Sequence, residues 1–151
     1  MADTKISALT TKATVAATDI FPMVDESGTP TTKSVTFAVL QAALGVRKVV
    51  TLTDAATVTP NADTTSMGIL SSLSQTTTFA NPTGTPTDGQ RLEIRVKSAS
   101  SQAVSFGTQY RSGVDILLPT TTTGSAKTDR FLFEYDLADT KWDIVGRVTG
   151  Y

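Results

Sequence analysis

Two stretches of this chain, RLEIRVKS from residue 91 and DRFLFEYD from residue 129, alternate apolar and polar side chains almost without interruption. Leu92, Ile94 and Val96 fall on one side of the first, with Arg91, Glu93, Arg95 and Lys97 on the other; Phe131, Phe133 and Tyr135 form the matching series in the second. A period of two is the signature of a strand with one face in a core and the other in water, and a helix cannot satisfy it. Further segments of strand composition recur about every ten residues between clusters of Gly, Pro, Asn and Asp: VRKVVTLT, TSMGILSSL, TTTFA, AVSFG, DILLP and KWDIVGRV. Such regular spacing is the signature of a sandwich or barrel, so residues 46–151 read as one all-β domain, for which an antiparallel, jelly-roll-like β-sandwich is the expected form. No internal repeat is convincing. The final strands, joined by DLADTKW, read as an antiparallel hairpin.

Threonine supports the same class. It makes up roughly a fifth of the chain, against 18% charged residues in all. Its β-branched side chain suits a pleated surface, and its hydroxyl keeps an outward face wettable without charge.

Residues 1–45 have a different texture. Residues 1–18 show neither strand nor helix period and read as an extended arm. IFPMVD and TTKSVTF read as a small hairpin, with Pro22 confined to an edge because it donates no hydrogen bond. A short helix follows, with Thr36 as N-cap and Gly45 as its stop. An arm, one hairpin and a helix of about two turns are too small to hold a core, so this module is expected to dock on something else.

What is missing narrows the chemistry. With no His and no Cys there is no imidazole base, no Ser-His or Cys-His pair and no zinc site of the usual ligands. No metal, cofactor or enzymatic activity is expected. Asp136, Asp139 and Asp143 lack the spacing of a calcium loop and read as turn residues. Glu93, Asp115 and Glu134 read as exposed strand acids, and no Gly-rich phosphate loop occurs. A net charge of −1 offers no bulk field for nucleic acid, and no apolar run is long enough to span a bilayer, so neither nucleic acid nor membrane is an expected partner. The positive stripe of Arg91, Arg95 and Lys97 either meets an acidic partner surface or stays solvated. Trp142, which opens an apolar face with Ile144 and Val148, is assigned to the core. Tyr110 is the candidate ligand-facing aromatic.

The segment KISALTTKATVAATDIFPMVDESGTPTTKSVTFAVLQAAL resembles the N-terminal module of many tailed-bacteriophage virion proteins. Its carriers are the KIS-L start at 5–9, the acidic-then-apolar strand at 19–24, the TKSVT strand at 32–36 and the Leu-ending helix at 37–44. The closing domain is similar to β domains of the same group in VTLTDAATVTPNA, ANPTGTPTDGQRLEIRV, SFGTQYRSG and FEYDLADTKWDIV. This resemblance implies a virion structural protein, made in the host cytoplasm and carried on the particle, typically as a homotrimer. Two roles follow from it. One is a capsid decoration (cement) protein bound to the major capsid protein or another virion protein; the other is a head-fibre or tail-fibre adhesin whose β domain binds host carbohydrate. Direct passage from the anchor into one globular domain favours decoration. In either role the anchor contacts fall to Ile6, Leu9, Ile20, Phe21, Met23 and Val24, with Phe37, Leu40 and Leu44 from the helix.

Overall fold

The computed structural model describes residues 18, 20–25, 31–37, 39, 40 and 45–151. The chain divides into two units, Met1–Val46 and Arg47–Tyr151.

In the first unit β1 (Ile20–Asp25) pairs antiparallel with β2 (Thr31–Thr36), in register from Ile20 opposite Thr36 to Asp25 opposite Thr31. Pro22 sits opposite Ser34 in a sheet of only two strands, where the ladder bond it cannot donate costs little. Phe37, Val39 and Leu40 have helical backbone, and the Thr36 hydroxyl accepts a hydrogen bond from the Val39 N–H at 3.4 Å, the N-cap arrangement its sequence position calls for. Gly45 has φ 63°, a left-handed conformation that suits glycine. The rest of the expected helix, including Leu44, and the arm positions Ile6 and Leu9 lie outside the described residues.

The second unit is mainly β. Its strands are β3 (Val49–Thr51), β4 (Thr57–Val58), β5 (Met67–Leu73), β6 (Thr77–Phe79), β7 (Arg91–Ser98), β8 (Val104–Phe106), β9 (Tyr110–Arg111), β10 (Lys127–Asp136) and β11 (Lys141–Val148). A six-stranded sheet runs β3-β5-β7-β10-β11-β9, and a three-stranded sheet runs β4-β6-β8. Both contribute to one core, in which Val58, Phe79 and Val104 from the small sheet join Leu70, Ile94, Val96, Phe131 and Phe133 from the large one.

The expected antiparallel, jelly-roll-like pairing holds only for β7-β10-β11. β3, β5 and β7 are mutually parallel, as are β4, β6 and β8. The chain therefore winds three times through both sheets, a strand in each per turn, and β10 and β11 then extend the large sheet beyond β7, with β9 parallel to β11 at its edge. Parallel neighbours require a crossover, and here a short strand of the opposite sheet supplies it. Alternation reports which face a residue takes and says nothing of the direction of its neighbour, so the sequence reading could not separate the two pairings. The turns also differ in length: Val49 aligns with Met67, Thr57 with Thr78, and Met67 with Glu93. A structural repeat of unequal period leaves no regular sequence repeat to find.

Threonine and serine serve the coil both outside and inside. On the wet face of the small sheet, the Thr78 and Ser105 hydroxyls hydrogen-bond at 2.8 Å in adjacent strands. Thr77 is fully buried and donates to the Ala55 carbonyl at 2.8 Å. Gly68 leaves room for the first turn to lie close, since a Cβ there would come within 2.6 Å of Leu52 Cδ1.

DILLP is not a strand. Its backbone is used locally, with the Gly113 N–H bonded to the Ile116 carbonyl and the Leu118 N–H to the Ser112 hydroxyl, both at 3.0 Å. Val148 is also corrected: it is 42% exposed, because a bulge between Leu132 and Phe133 shifts the register after Ile144.

Residues 120–126 fold back along the third turn and bring Gly124 against Ser101. Gly124 has φ 74°, and a Cβ would fall 2.4 Å from the Ser101 backbone nitrogen. Gly124→Ala should thus destabilise the domain by about 2–4 kcal/mol, from left-handed strain and overpacking together. Urea unfolding of this variant checks it; a loss under about 0.5 kcal/mol, the size of a neutral surface change, would contradict the packing described.

Candidate functional site

The sequence reading places function in the first unit, and β1 and β2 are what the structure describes there. Ile20, Phe21, Met23 and Val24 all lie on β1, opposite Thr36, Val35, Lys33 and Thr32. Ile20 is 64% exposed, Val39 is exposed, and Phe37 and Leu40 are half-buried. Among the described residues no third strand joins this sheet. Among the described residues both strands therefore keep an open edge, and such an edge can add a further strand.

A second constellation lies in the β domain, at the end of the β10-β11 hairpin. Asp136 closes β10, Asp139 sits in the turn and Asp143 lies early in β11; the three converge on Arg111 of the two-residue strand β9. Parallel pairing of Arg111 with Asp143 sets the geometry. Arg111 grips Asp143 with two parallel bonds, Nε to Oδ1 at 2.6 Å and Nη2 to Oδ2 at 2.8 Å, and reaches Asp139 through Nη1 and Asp136 through Nη2. The hydrogen bonds from Arg111 hold the Asp143 carboxyl below its ordinary range against the opposing effect of burial, and they raise the guanidinium pKa in turn. Asp136 also caps the turn, accepting from the Ala138 N–H at 2.9 Å. The turn reading holds for Asp139 and for Asp136, which caps the turn, but Asp143 is a strand residue of β11 paired with Glu134; their shared cation Arg111 is 25 to 32 residues away in sequence, on a strand too short to show a period.

Because the Asp143 pKa is depressed in the folded chain, the clamp contributes stability above the ordinary carboxylate value of 3.8 and loses it as pH falls through the lower folded value. Asp143→Asn should therefore weaken the domain near pH 7 while narrowing the gap to wild type as pH drops towards about 2. Urea midpoints across that range test this, and a pH-independent difference would contradict it.

Beside the clamp lies a cleft of about 280 Å³ lined by Asp88, Gly89, Glu134, Tyr135, Asp136, Asp143 and Val145. Its carboxylates are engaged: Glu134 with Arg91 at 3.1 Å, Asp88 with the Leu137 N–H at 3.0 Å, the others with Arg111. Each has at least one oxygen bonded within the chain, and Asp136 and Asp143 share the one guanidinium of Arg111 with Asp139. Among the described residues no group of His, Cys, Asp and Glu is placed to hold a metal ion, and no helix is long and apolar enough to cross a membrane.

Tyr110 requires correction as a ligand-facing aromatic. It is 5% exposed, its ring edge-on to Phe133 at 4.8 Å and to Phe106 at 5.3 Å. Burial also pushes its phenol pKa up. β9 points Tyr110 inward beside Trp142, its register partner, and Arg111 outward to the acids. Trp142 is fully buried against Tyr135. Of the positive stripe, Arg91 pairs with Glu134, whereas Arg95 lies opposite Arg130. The residue the sequence reading missed altogether is Asp129, 1% exposed on the core side of β10. Its carboxylate accepts from the Thr123 N–H and hydroxyl, both at 2.6 Å, and from the Gly150 N–H at 3.0 Å. Its place two residues before Phe131 in the alternating series was the available signal. Compared with known protein families, with curated proteins and with solved structures, the chain matches none.

Proposed function

We propose that this chain is a non-enzymatic structural protein of a tailed-bacteriophage particle, a homotrimeric capsid decoration protein that the first unit fastens to the major capsid protein or another virion protein on the outer surface of the head. The observation that carries this reading is the contrast between the two units: a two-stranded sheet with an exposed Ile20, beside a β domain with its own continuous core. Two strands alone are marginal in water, and among the described residues no third strand joins them, which supports a first unit stabilised by what it binds. The particle itself is supplied by the sequence resemblance. The engaged carboxylates and the missing His and Cys favour a structural role over catalysis.

The alternative, a fibre adhesin that binds host carbohydrate through the β domain, loses its candidate Tyr110 to the core and keeps only Tyr151 as an exposed tyrosine among the described residues. Co-sedimentation with heads of the phage decides between them. The full chain should pellet with heads and not with host cells; binding to cells but not to heads would overturn the decoration role.

A further inference from the structure

The outer face of the six-stranded sheet carries an excess of positive charge around Arg95 and Arg130, with Glu93 among them, and an excess of negative charge around the β10-β11 turn, with Arg91 and Arg111 among it. Arg95 and Arg130 stand directly opposite each other in β7 and β10, with Lys97 the next outward residue along β7. Like charges so placed repel. Among the described residues Arg95 has no carboxylate partner, and its Nη2 contact is the Met67 sulfur at 3.4 Å. The carboxylate nearest Arg130 is Glu93, at 3.8 Å, which is already paired with Arg47. The Nε atoms of Arg95 and Arg130 are both buried without a hydrogen-bond acceptor. With Nε buried in both, only their terminal nitrogens are left to meet a group from outside, and the Arg130 guanidinium also stands 5.8 Å from the centre of the Tyr151 ring.

The opposite charge collects further along the same face. Glu134, Asp136 and Asp143 line the cleft with Asp88, and Asp136, Asp139 and Asp143 share the single cation Arg111. From Arg130 to Asp136 is six residues of strand, about 20 Å. That exceeds the screening length of about 8 Å at physiological salt, so the two groups do not neutralise each other within one copy.

We infer that this face is a contact between copies of the chain, in which the Arg95–Arg130 pair of one copy receives the cleft carboxylates of a second. Charge complementarity selects the occupant: the chain carries the matching surface itself, and guanidinium forks bind carboxylates in paired hydrogen bonds. The inference rests on the self-association in the proposed function and does not need the phage particle.

Sedimentation velocity of the full chain tests it, with circular dichroism as the check on folding. Arg95→Glu with Arg130→Glu should weaken self-association at least tenfold, as should Asp88→Lys with Glu134→Lys. All four changes in one chain should restore it to within about threefold of wild type, because the attraction is re-formed with its signs exchanged. Raising salt from about 50 to 500 mM should weaken the wild-type assembly and the restored one alike. Should a reversal fail to fold, Arg95→Gln with Arg130→Gln replaces it and should show both weaker association and a shallower salt dependence. Assembly unchanged by the arginine variants overturns this contact while leaving self-association intact. Failure of the four-fold variant to recover overturns it too, and a monomeric wild-type chain overturns the contact and the self-association together.

Discussion

Trp142→Ala should destabilise the β domain by about 3–5 kcal/mol, the largest loss expected from any single side chain here. Trp142 is fully buried, its ring centre 5.0 Å from that of Tyr135, and its backbone ties β11 to β9 through a 2.8 Å bond from its N–H to the Gln109 carbonyl. Truncation opens a cavity where the hairpin meets the aromatic cluster, and the sheet backbone on either side limits collapse around it. A domain of this size has about 5–15 kcal/mol in total, so the variant should be marginal and melt lower by roughly 15–30 °C. Trp142→Phe, which keeps much of the ring, should lose far less. Thermal and urea unfolding measure both, and a loss below 1 kcal/mol for the alanine would contradict a core position.

The second large effect is expected in the first unit. Phe21→Ser with Val24→Ser should abolish assembly or attachment to the head while leaving the Arg47–Tyr151 domain folded. Each apolar side chain taken out of water contributes about 1.5–3 kcal/mol. Losing both from a binding surface corresponds to about 3–6 kcal/mol, or more than a hundredfold in affinity. Unchanged head binding and unchanged mass in the double variant, with normal circular dichroism, would remove β1 from the contact.

These two predictions differ in how far the sequence led. Trp142 was legible because it alternates with Ile144 in a strand whose partner, β10, alternates too. β7 and β11 coincide with RLEIRVKS and KWDIVGRV for the same reason. Alternation fails where a strand is very short, and β4 and β9 have only two residues each. Tyr110 and Arg111 were misread or left unpaired on that account, since neither the inward turn of the tyrosine nor the reach of the arginine to Asp143 is a local property. Asp129 was hidden by the habit of assigning acids to water: its inward place costs little only because Thr123 and Gly150, distant in sequence or brought round by a turn, supply three donors. The parallel winding was equally invisible, because the residues that specify it are the contacts between successive turns. DILLP shows the converse, an apolar run of strand composition whose backbone bonds close a local turn instead.

In the proposed role the chain is an assembled structural protein, with a first unit that needs partners and a β domain that does not. Light scattering of the full chain in solution, repeated on chain bound to heads, tests it most directly. A mass three times that of one chain, lost on replacing Phe21 and Val24 while the β domain still unfolds cooperatively, is the predicted result; a monomer in both settings would contradict it.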